Sequence, residues 1–157
     1  DALLSRGLGD VYKRQFKDVV GLFFGAADSS ASLGCKLAWE PLLYARSKVV
    51  TAAAMYNLYT IDAPFFYIDD KEGLKKEAEA VKNLGFKSKA AIHPDQIDYI
   101  NESFAPSSEE IAEGKKVLEE YQKSGGGAVK IDGQMVDEPI AEAMRLKISL
   151  GEDQKED

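Results

Sequence analysis

A single carboxylate follows the first apolar run of the chain. The run covers residues 19–24, and Asp28 comes shortly after it, ahead of several small residues. A buried strand that carries one acid at its carboxyl end is how an α/β barrel presents a metal ligand or an acid/base group. An aspartate in this place is also well suited to cap the helix or turn that follows. The pattern alone leaves these two interpretations of Asp28 equally strong.

Other positions carry side chains that could do chemistry. Asp62 and Pro64 follow a second apolar segment, where they can shape a pocket or form a turn. His93 is the only histidine, and a structural hydrogen bond explains it better than catalysis by its ring. Asp137 closes a predicted hairpin and precedes a predicted helix, so it is a good N-cap as well as a candidate acid/base. Arg46 is expected to anchor its helix through a salt bridge.

The overall composition is that of an ordinary globular protein, with 157 residues, 45% hydrophobic and 30% charged. The net charge of -7 and a pI near 4.9 disfavour a nucleic-acid surface, because phosphate binding needs clustered Lys and Arg. No apolar run approaches the roughly 20 residues that span a bilayer, and no signal-peptide pattern is evident. We therefore expect a cytoplasmic protein that binds neither nucleic acid nor a membrane. The single cysteine, Cys35, is better explained as a packing residue than as a nucleophile.

The first 15 residues differ from the rest of the chain. They have no clear apolar period and no turn chemistry before the first strand. The sequence Asp-Val-Tyr-Lys-Arg-Gln at 10–15 resembles a translation of the transposon end used in shotgun sequencing libraries. We predict that residues 1–15 are not native sequence, and we exclude them from reasoning about the fold.

Strands and helices alternate after this segment. The predicted elements are a strand at 19–24, a helix from about 40 to 54, a strand at 60–64, a helix at 71–84, a strand at 89–92 and a helix carrying Ile97, Ile100 and Phe104 on one side. This order predicts a parallel sheet with right-handed crossovers.

The last third of the chain has a different organisation. Ser107 and Glu110 form a capping box at the start of a helix. The pair Asp132 and Gly133 is the strongest hairpin signal in the chain, and a further helix follows it. Residues 151–157 are predicted to be a disordered polar tail. A hairpin and helix of this kind often cover a site or a neighbouring subunit.

Several sequence blocks resemble one family, in order and with similar spacing. They are Gly-Ala-Ala-Asp at 25–28, Leu-Tyr-Ala-Arg-Ser at 43–47, Ile-Asp-Ala-Pro at 61–64, Ala-Ile-His-Pro-Asp-Gln-Ile at 91–97 and Ile-Asp-Gly-Gln-Met-Val-Asp-Glu-Pro at 131–139. The chain resembles the citrate lyase β-subunit family of the HpcH/HpaI aldolase superfamily. That family includes malyl-CoA, β-methylmalyl-CoA and citramalyl-CoA lyases.

The resemblance implies an α/β fold, with the last three βα units of a TIM (β/α)8 barrel over residues 16–106. A complete barrel takes about 250 residues, so the chain would be the C-terminal part of a longer protein. Residues 107–150 would form a lid of helix, hairpin and helix. In the family, this lid closes the active site of the next subunit of a trimer or hexamer.

The resemblance also implies a reaction. Family members cleave a 3-hydroxyacyl-CoA thioester of the malyl-CoA, citramalyl-CoA or citryl type into acetyl-CoA or propionyl-CoA and a 2-oxo acid, by a Mg²⁺-assisted retro-aldol step. Asp28 matches one of the two carboxylates that hold Mg²⁺; the partner glutamate and an upstream arginine are absent from the chain. Asp137 matches a lid aspartate that serves in proton transfer. The implied substrate and CoA contacts are Ala27, Asp62, Pro64, Ile92, His93 and Pro94.

We accordingly expect the 157-residue chain to be inactive alone. One alternative is a 2-oxo-acid aldolase of the same superfamily that acts on free hydroxy acids. Those enzymes lack this lid hairpin and its Asp137, which argues against them. A second alternative is a non-catalytic scaffold paralogue that keeps the fold without a complete metal site.

Overall fold

The computed structural model describes residues 19–153, and the chain divides into two compact units between Phe104 and Ala105. The segment predicted to be non-native, residues 1–15, lies outside the described residues, as do the last four residues of the predicted tail. Within the described part of the chain, no helix combines the length and apolar character needed to cross a bilayer.

The first unit is a parallel three-stranded sheet with helices. Its elements are β1 (Gly21–Phe23), α1 (Ala26–Leu33), α2 (Trp39–Ala54), β2 (Tyr59–Asp62), α3 (Lys71–Leu84), β3 (Ser88–Lys89), a short 3₁₀ helix (Pro94–Gln96) and α4 (Ile97–Phe104). The strands pair in the order β1-β2-β3, with Leu22 opposite Thr60 and Asp62 opposite Lys89. The predicted strand-helix alternation and parallel sheet are thus confirmed.

The strands are shorter than predicted, because regular pairing covers only their central residues. Single hydrogen bonds continue the pairing beyond the ends of β1: Tyr59 N–H donates to the Val20 carbonyl, and Phe24 N–H donates to the Ile61 carbonyl. Beyond Lys89, the Ala90 N–H still donates to the Asp62 carbonyl. The predicted third strand at 89–92 therefore ends early, and its last residues form a loop.

The two faces of the sheet have different environments. Phe24, Thr60, Asp62 and Lys89 are buried. The neighbouring strand residues Phe23, Tyr59, Ile61 and Ser88 are less buried, as expected for strands with one covered face. The core on the covered side joins residues of α1, α2, α3 and of the segments that follow β1, β2 and α3: Phe24, Ala26, Leu42, Ala63, Val81 and Phe86. On the other face, Phe23 and Tyr59 are 58% and 51% exposed.

The helix α3 begins and ends as its sequence predicts. The Asp70 carboxylate accepts a hydrogen bond from Gly73 N–H, and Gly85 ends the helix in the left-handed region at a φ of 108°. Both features are standard helix terminations. The helix α1 was not predicted, because its sequence of small residues, Ala-Ala-Asp-Ser-Ser-Ala-Ser-Leu, has little apolar periodicity.

The second unit contains two helices and a hairpin. Its elements are α5 (Ser108–Lys123), β4 (Val129–Ile131), β5 (Gln134–Val136) and α6 (Glu138–Asp153). Both halves of the predicted capping box are present at Ser107 and Glu110. Asp132 and Gly133 both have positive φ, 48° and 88°, as a two-residue hairpin turn requires. The helix α6 continues to Asp153, so residues 151–153 are helical rather than part of the predicted disordered tail.

Candidate active site

Asp28 lies in the first turn of α1, directly after the carboxyl end of β1. Its side chain turns back toward the start of the helix and lies close to Gly25. A Cβ atom at Gly25 would be only 3.1 Å from Asp28 Oδ2. A carboxylate is favoured here by the positive end of the helix dipole. Gly25, and not Asp28, occupies the N-cap position. The residue is exposed, so its oxygens are accessible to a ligand.

Other predicted contact residues follow the carboxyl ends of the neighbouring strands. Ala27 is exposed in the same helical turn as Asp28, and Pro64 follows β2 at a half-buried position. Ile92 and Pro94 are exposed in the loop after β3. Because β1, β2 and β3 are parallel, these residues all belong to the same edge of one sheet. This is the edge at which an α/β barrel builds its active site.

A single carboxylate does not make a magnesium site. Mg²⁺ prefers octahedral oxygen ligands, and an exposed aspartate is a suitable donor for it. Among residues 19–153, no group of three or more His, Cys, Asp or Glu side chains is placed to hold a metal ion. The described chain therefore fits the metal only in part, through Asp28.

The position of Asp62 differs from the expectation that it lines a substrate pocket or forms a turn. Its side chain is fully buried on the helix-covered side of the sheet. Oδ1 accepts from Arg46 Nε at 2.8 Å, and Oδ2 accepts from Lys89 Nζ at 2.9 Å. Both oxygens are thus engaged within the described part of the chain. The salt bridge predicted for Arg46 is confirmed, with Asp62 as its partner.

The ion pair belongs to a larger buried network. Lys89 Nζ also donates to the Ala63 carbonyl at 2.7 Å and to Glu77 Oε1 at 2.7 Å. The Arg46 guanidinium carbon lies 5.0 Å from the centre of the Phe24 ring and 4.9 Å from that of the Trp39 ring, within cation–π distance. Sequence reasoning missed Lys89 and Glu77, because the members of the network are 12 to 27 residues apart along the chain.

The loop after β3 is held by hydrogen bonds. His93 Nδ1 accepts from Asp95 N–H at 3.2 Å and caps the 3₁₀ helix, so the structural role expected for His93 is observed. Gln96 is almost completely buried. Its Oε1 accepts from Ile92 N–H at 3.0 Å, and its Nε2 donates to the Phe65 carbonyl at 2.9 Å. Gln96, which carried no sequence signal, therefore joins the loops that follow β2 and β3.

Asp137 lies directly before α6 in the second unit. Its Oδ1 accepts from Ile140 N–H at 3.3 Å, and its carbonyl accepts from Ala141 N–H at 2.9 Å. The N-cap role is therefore present. The side chain is half-buried, so part of it is accessible to solvent. Asp28 and Asp137 belong to different units of the chain.

The residue after Asp137 is tied to the rest of its unit. Glu138 Oε1 accepts from Arg145 Nη1 at 2.7 Å, and Oε2 accepts from Tyr121 Oη at 3.0 Å. These hydrogen bonds hold the pKa of Glu138 below its ordinary value, with that from Arg145 as the larger cause. Burial, followed by the bond to Glu138, raises the pKa of Tyr121. Tyr121 Oη also lies 2.8 Å from the Gly126 carbonyl, so Tyr121 connects α5 and the three glycines at 125–127 to the start of α6.

Comparison with known proteins identifies similar chains. The human mitochondrial citramalyl-CoA lyase is 35% identical over 147 residues, which cover 87% of this chain and 43% of the human protein. The citrate lyase subunit beta of Haemophilus influenzae is 32% identical over 135 residues, which cover 83% and 46%. The chain thus spans less than half the length of these curated relatives.

A solved structure is similar in fold as well as in sequence. The CitE protein of Mycobacterium tuberculosis, in complex with magnesium, acetoacetate and coenzyme A, superposes with a TM-score of 0.76 at 31% identity. The superposition covers 85% of this chain and 52% of that protein.

The family assignment comes from a match over residues 11–94. The match begins inside the segment of residues 1–15 that is predicted to be non-native, and it includes Asp28, Asp62 and His93. The chain belongs to the HpcH/HpaI aldolase/citrate lyase family.

Proposed function

We propose that the chain is the C-terminal part of a Mg²⁺-dependent carbon–carbon lyase that acts on a 3-hydroxyacyl-CoA thioester of the malyl-CoA, citramalyl-CoA or citryl type. The observation that carries this proposal is that Asp28, Pro64 and Ile92 follow the carboxyl ends of three adjacent parallel strands. Similar proteins are named citramalyl-CoA lyase and citrate lyase subunit beta. On this proposal, the three strands are the last three of a (β/α)8 barrel.

The reaction breaks one carbon–carbon bond and transfers a proton from a hydroxyl group to the carbon released from that bond. The hydroxyl group next to the breaking bond loses its proton and becomes the ketone of the 2-oxo acid. The electrons of the broken carbon–carbon bond form an enolate of the acyl-CoA, and protonation of its carbon gives acetyl-CoA or propionyl-CoA. The site therefore needs a group that handles protons and a positive charge near the oxygens.

Asp28 supplies one of the oxygen ligands for the metal. It is exposed at the strand edge and carries the hard donor atoms that Mg²⁺ prefers. When bound, the metal polarises the oxygens of the oxo acid. A glutamate and an arginine upstream of this chain complete the site in the proposal. The exposed residues Ala27, Ile92 and Pro94, with the His93 loop, line the path of the substrate and CoA.

Asp137 is proposed to carry the proton, within a subunit lid. Its backbone position is fixed by the N-cap hydrogen bond to Ile140 N–H and by the bonds of Glu138 beside it. A lid aspartate of this kind enters the site of the next subunit of a homotrimer or hexamer. On this proposal, the Asp137 carboxylate transfers the proton between the hydroxyl group and the enolate carbon once the lid has closed over the thioester.

The test is made on the chain extended upstream to the complete gene product. The assay measures cleavage of malyl-CoA, citramalyl-CoA and citryl-CoA by the amount of glyoxylate, pyruvate or oxaloacetate that is released. Asp137→Asn is expected to lower kcat by about 10²- to 10⁴-fold, the usual contribution of a proton-transfer group. Asp28→Asn is expected to raise the Mg²⁺ concentration needed for half-maximal activity. Asp98→Asn, an exposed first-turn acid of α4, is the matched control and should leave both quantities unchanged.

Three results would contradict the proposal. Cleavage of malyl-CoA by the purified 157-residue chain would show that the upstream glutamate and arginine are not needed. Cleavage of free hydroxy acids in preference to thioesters by the extended protein would favour the alternative aldolase, against which the hairpin with Asp137 argues. An upstream sequence without the glutamate and arginine would favour a non-catalytic scaffold.

A further inference from the structure

The buried side chain of Gln96 connects two loops at the candidate site. It is 1% exposed, although both of its sequence neighbours are exposed. Its Oε1 accepts from Ile92 N–H, and its Nε2 donates to the Phe65 carbonyl. Its backbone N–H donates to the His93 carbonyl at 3.0 Å. One buried residue therefore binds backbone groups of the loops that follow β2 and β3.

The loop after β2 is anchored by the ring of Phe65. This ring is buried in a cluster with one residue each of α3 and α4, so the Phe65 carbonyl is held in place from that side. The loop after β3 contains Ile92, which is 49% exposed. Within the described residues, no hydrogen bond other than that of Gln96 joins residues 64–70 to residues 91–97. The position of the Ile92 backbone relative to Phe65 therefore depends on Gln96.

The surface that these two loops expose is apolar and lacks basic side chains. Phe66 is 41% exposed, and Ile92 and Pro94 are exposed as well. The two loops contain no Lys or Arg, and their acids are all exposed: Asp69, Asp70 and Asp95. Such a surface disfavours an anionic group and favours a neutral one with apolar parts. In an acyl-CoA thioester, the neutral part is the arm of amide and methylene groups between the sulfur and the nucleotide.

We propose that Gln96 is a positioning residue for this neutral arm of the CoA thioester, because it holds the Ile92 loop in place beside Phe65 and so keeps the two sides of the binding surface together. The inference rests on the proposed function. The Gln96 side chain is buried and engaged at both ends, so it contacts neither the metal nor the reacting atoms. It therefore acts on the affinity for the thioester, whereas the metal and the proton transfer are assigned to Asp28 and Asp137.

The experiment uses the chain extended upstream to the complete gene product, with Gln96→Met and the exposed control Gln122→Met. Gln96→Met keeps the length of the side chain and removes both of its hydrogen bonds. It is expected to raise KM for the thioester about 10-fold and to change kcat less than about twofold, because the lost binding affects the ground state and the transition state equally. The Mg²⁺ concentration for half-maximal activity should stay unchanged, as should the kinetics of Gln122→Met.

A merely structural role of Gln96 predicts a different pattern. Partial loss of folded protein lowers the apparent kcat and leaves KM unchanged, because the molecules that remain folded bind the thioester normally. A lowered kcat with an unchanged KM therefore overturns the inference, and so does a variant whose two constants both equal those of the unaltered protein.

Failure of the proposed function gives a separate result, in which the unaltered protein cleaves none of the thioesters. Calorimetric titration with free coenzyme A then decides the inference, because binding of the arm does not require cleavage. Binding that is about 10-fold weaker in Gln96→Met than in the unaltered protein supports it. Equal binding by the two proteins overturns it, as does absence of binding to the unaltered protein.

Hydrogen exchange of the unaltered protein decides the question if Gln96→Met does not fold. Free coenzyme A is expected to slow amide exchange in residues 63–68 and in residues 90–97 together, because Gln96 joins the two loops. Residues 47–54 of α2, which precede the start of β2, are the control segment and should exchange as before. Slower exchange in both loops supports the inference, and slower exchange in one loop alone or in neither overturns it.

Discussion

Arg46 and Asp62 form a buried ion pair, in which Nε of the helix residue lies 2.8 Å from Oδ1 of the strand residue. The contact joins α2 to the carboxyl end of β2, next to the loop that carries Pro64. Lys89 from β3 binds the other oxygen of the same carboxylate. Asp62 of β2 thereby binds both α2 and β3, close to the carboxyl ends of the strands where the candidate site lies.

Asp62→Asn is expected to destabilise the first unit strongly. The substitution leaves Arg46 and Lys89 buried without their shared negative charge, and breaking a buried ion pair in this way costs about 3–5 kcal/mol. The measurement is the free energy of unfolding in urea, followed by a probe of the first unit. Asp132→Asn, which removes the exposed ion pair with Lys116, is the control and should unfold like the unaltered chain. If Asp62→Asn lowers the free energy of unfolding no more than Asp132→Asn does, the buried network adds no stability.

Gln96→Met is expected to loosen the loop of the candidate site. The thioether matches the length of glutamine, but the N–H of Ile92 and the carbonyl of Phe65 lose their partners. The bond to the Phe65 carbonyl is buried, and a buried group left without a partner costs about 1–3 kcal/mol. Hydrogen exchange at Ile92 N–H should become faster in the variant. Exchange at this group that stays as slow as before would contradict the bridging role of Gln96, and Gln122→Met, at an exposed position, serves as the control.

Phe23→Thr is expected to reduce self-association of the 157-residue chain. Phe23 and Tyr59 expose about half of their side chains on one face of the sheet, and β1 is an edge strand. Exposed apolar sheet faces and edges promote association. Sedimentation velocity should show a larger monomer fraction for the variant at equal concentration. Tyr44→Thr, at a 71% exposed position on α2, should not change the monomer fraction, and an equal effect of both variants would refute the role of the sheet face.

The parts of the fold that sequence predicts well depend on local chemistry. The hairpin turn needs only positive φ at Asp132 and Gly133, and the capping box needs only Ser107 and Glu110. The helix α3 is defined by its own apolar face and by Gly85. In contrast, α1 consists of small residues without a clear apolar face, so only the surrounding structure defines it.

Sequence predicts those parts of the candidate site that depend on local order along the chain, and it misses the parts that depend on contacts between distant residues. The position of Asp28 follows from its place after an apolar strand, which a sequence shows directly. The burial of Asp62 depends on Arg46 and Lys89, whose separations of 16 and 27 residues correspond to no local pattern. Gln96 bridges a distance of 31 residues to Phe65, and a lone glutamine gives no signal of it.

The hydrogen bonds of Glu138 predict an acid-sensitive second unit. Because Arg145 and Tyr121 hold its pKa below the ordinary 4.5, the folded state favours the charged carboxylate. Its stabilising contribution is therefore fully present above the ordinary pKa and is lost as the pH falls through the lowered folded-state pKa.

Unfolding of the second unit, followed by urea titration between about pH 6 and pH 2, is the measurement. The unaltered chain should be more stable than Glu138→Gln at neutral pH, and the two should converge toward the acid end of the range. Glu142→Gln is a matched control, because Glu142 also accepts from Arg145 but does not contact Tyr121, and its effect should be smaller. A difference between the unaltered chain and Glu138→Gln that stays constant over this range would show that the charge of Glu138 does not stabilise the start of α6, beside Asp137.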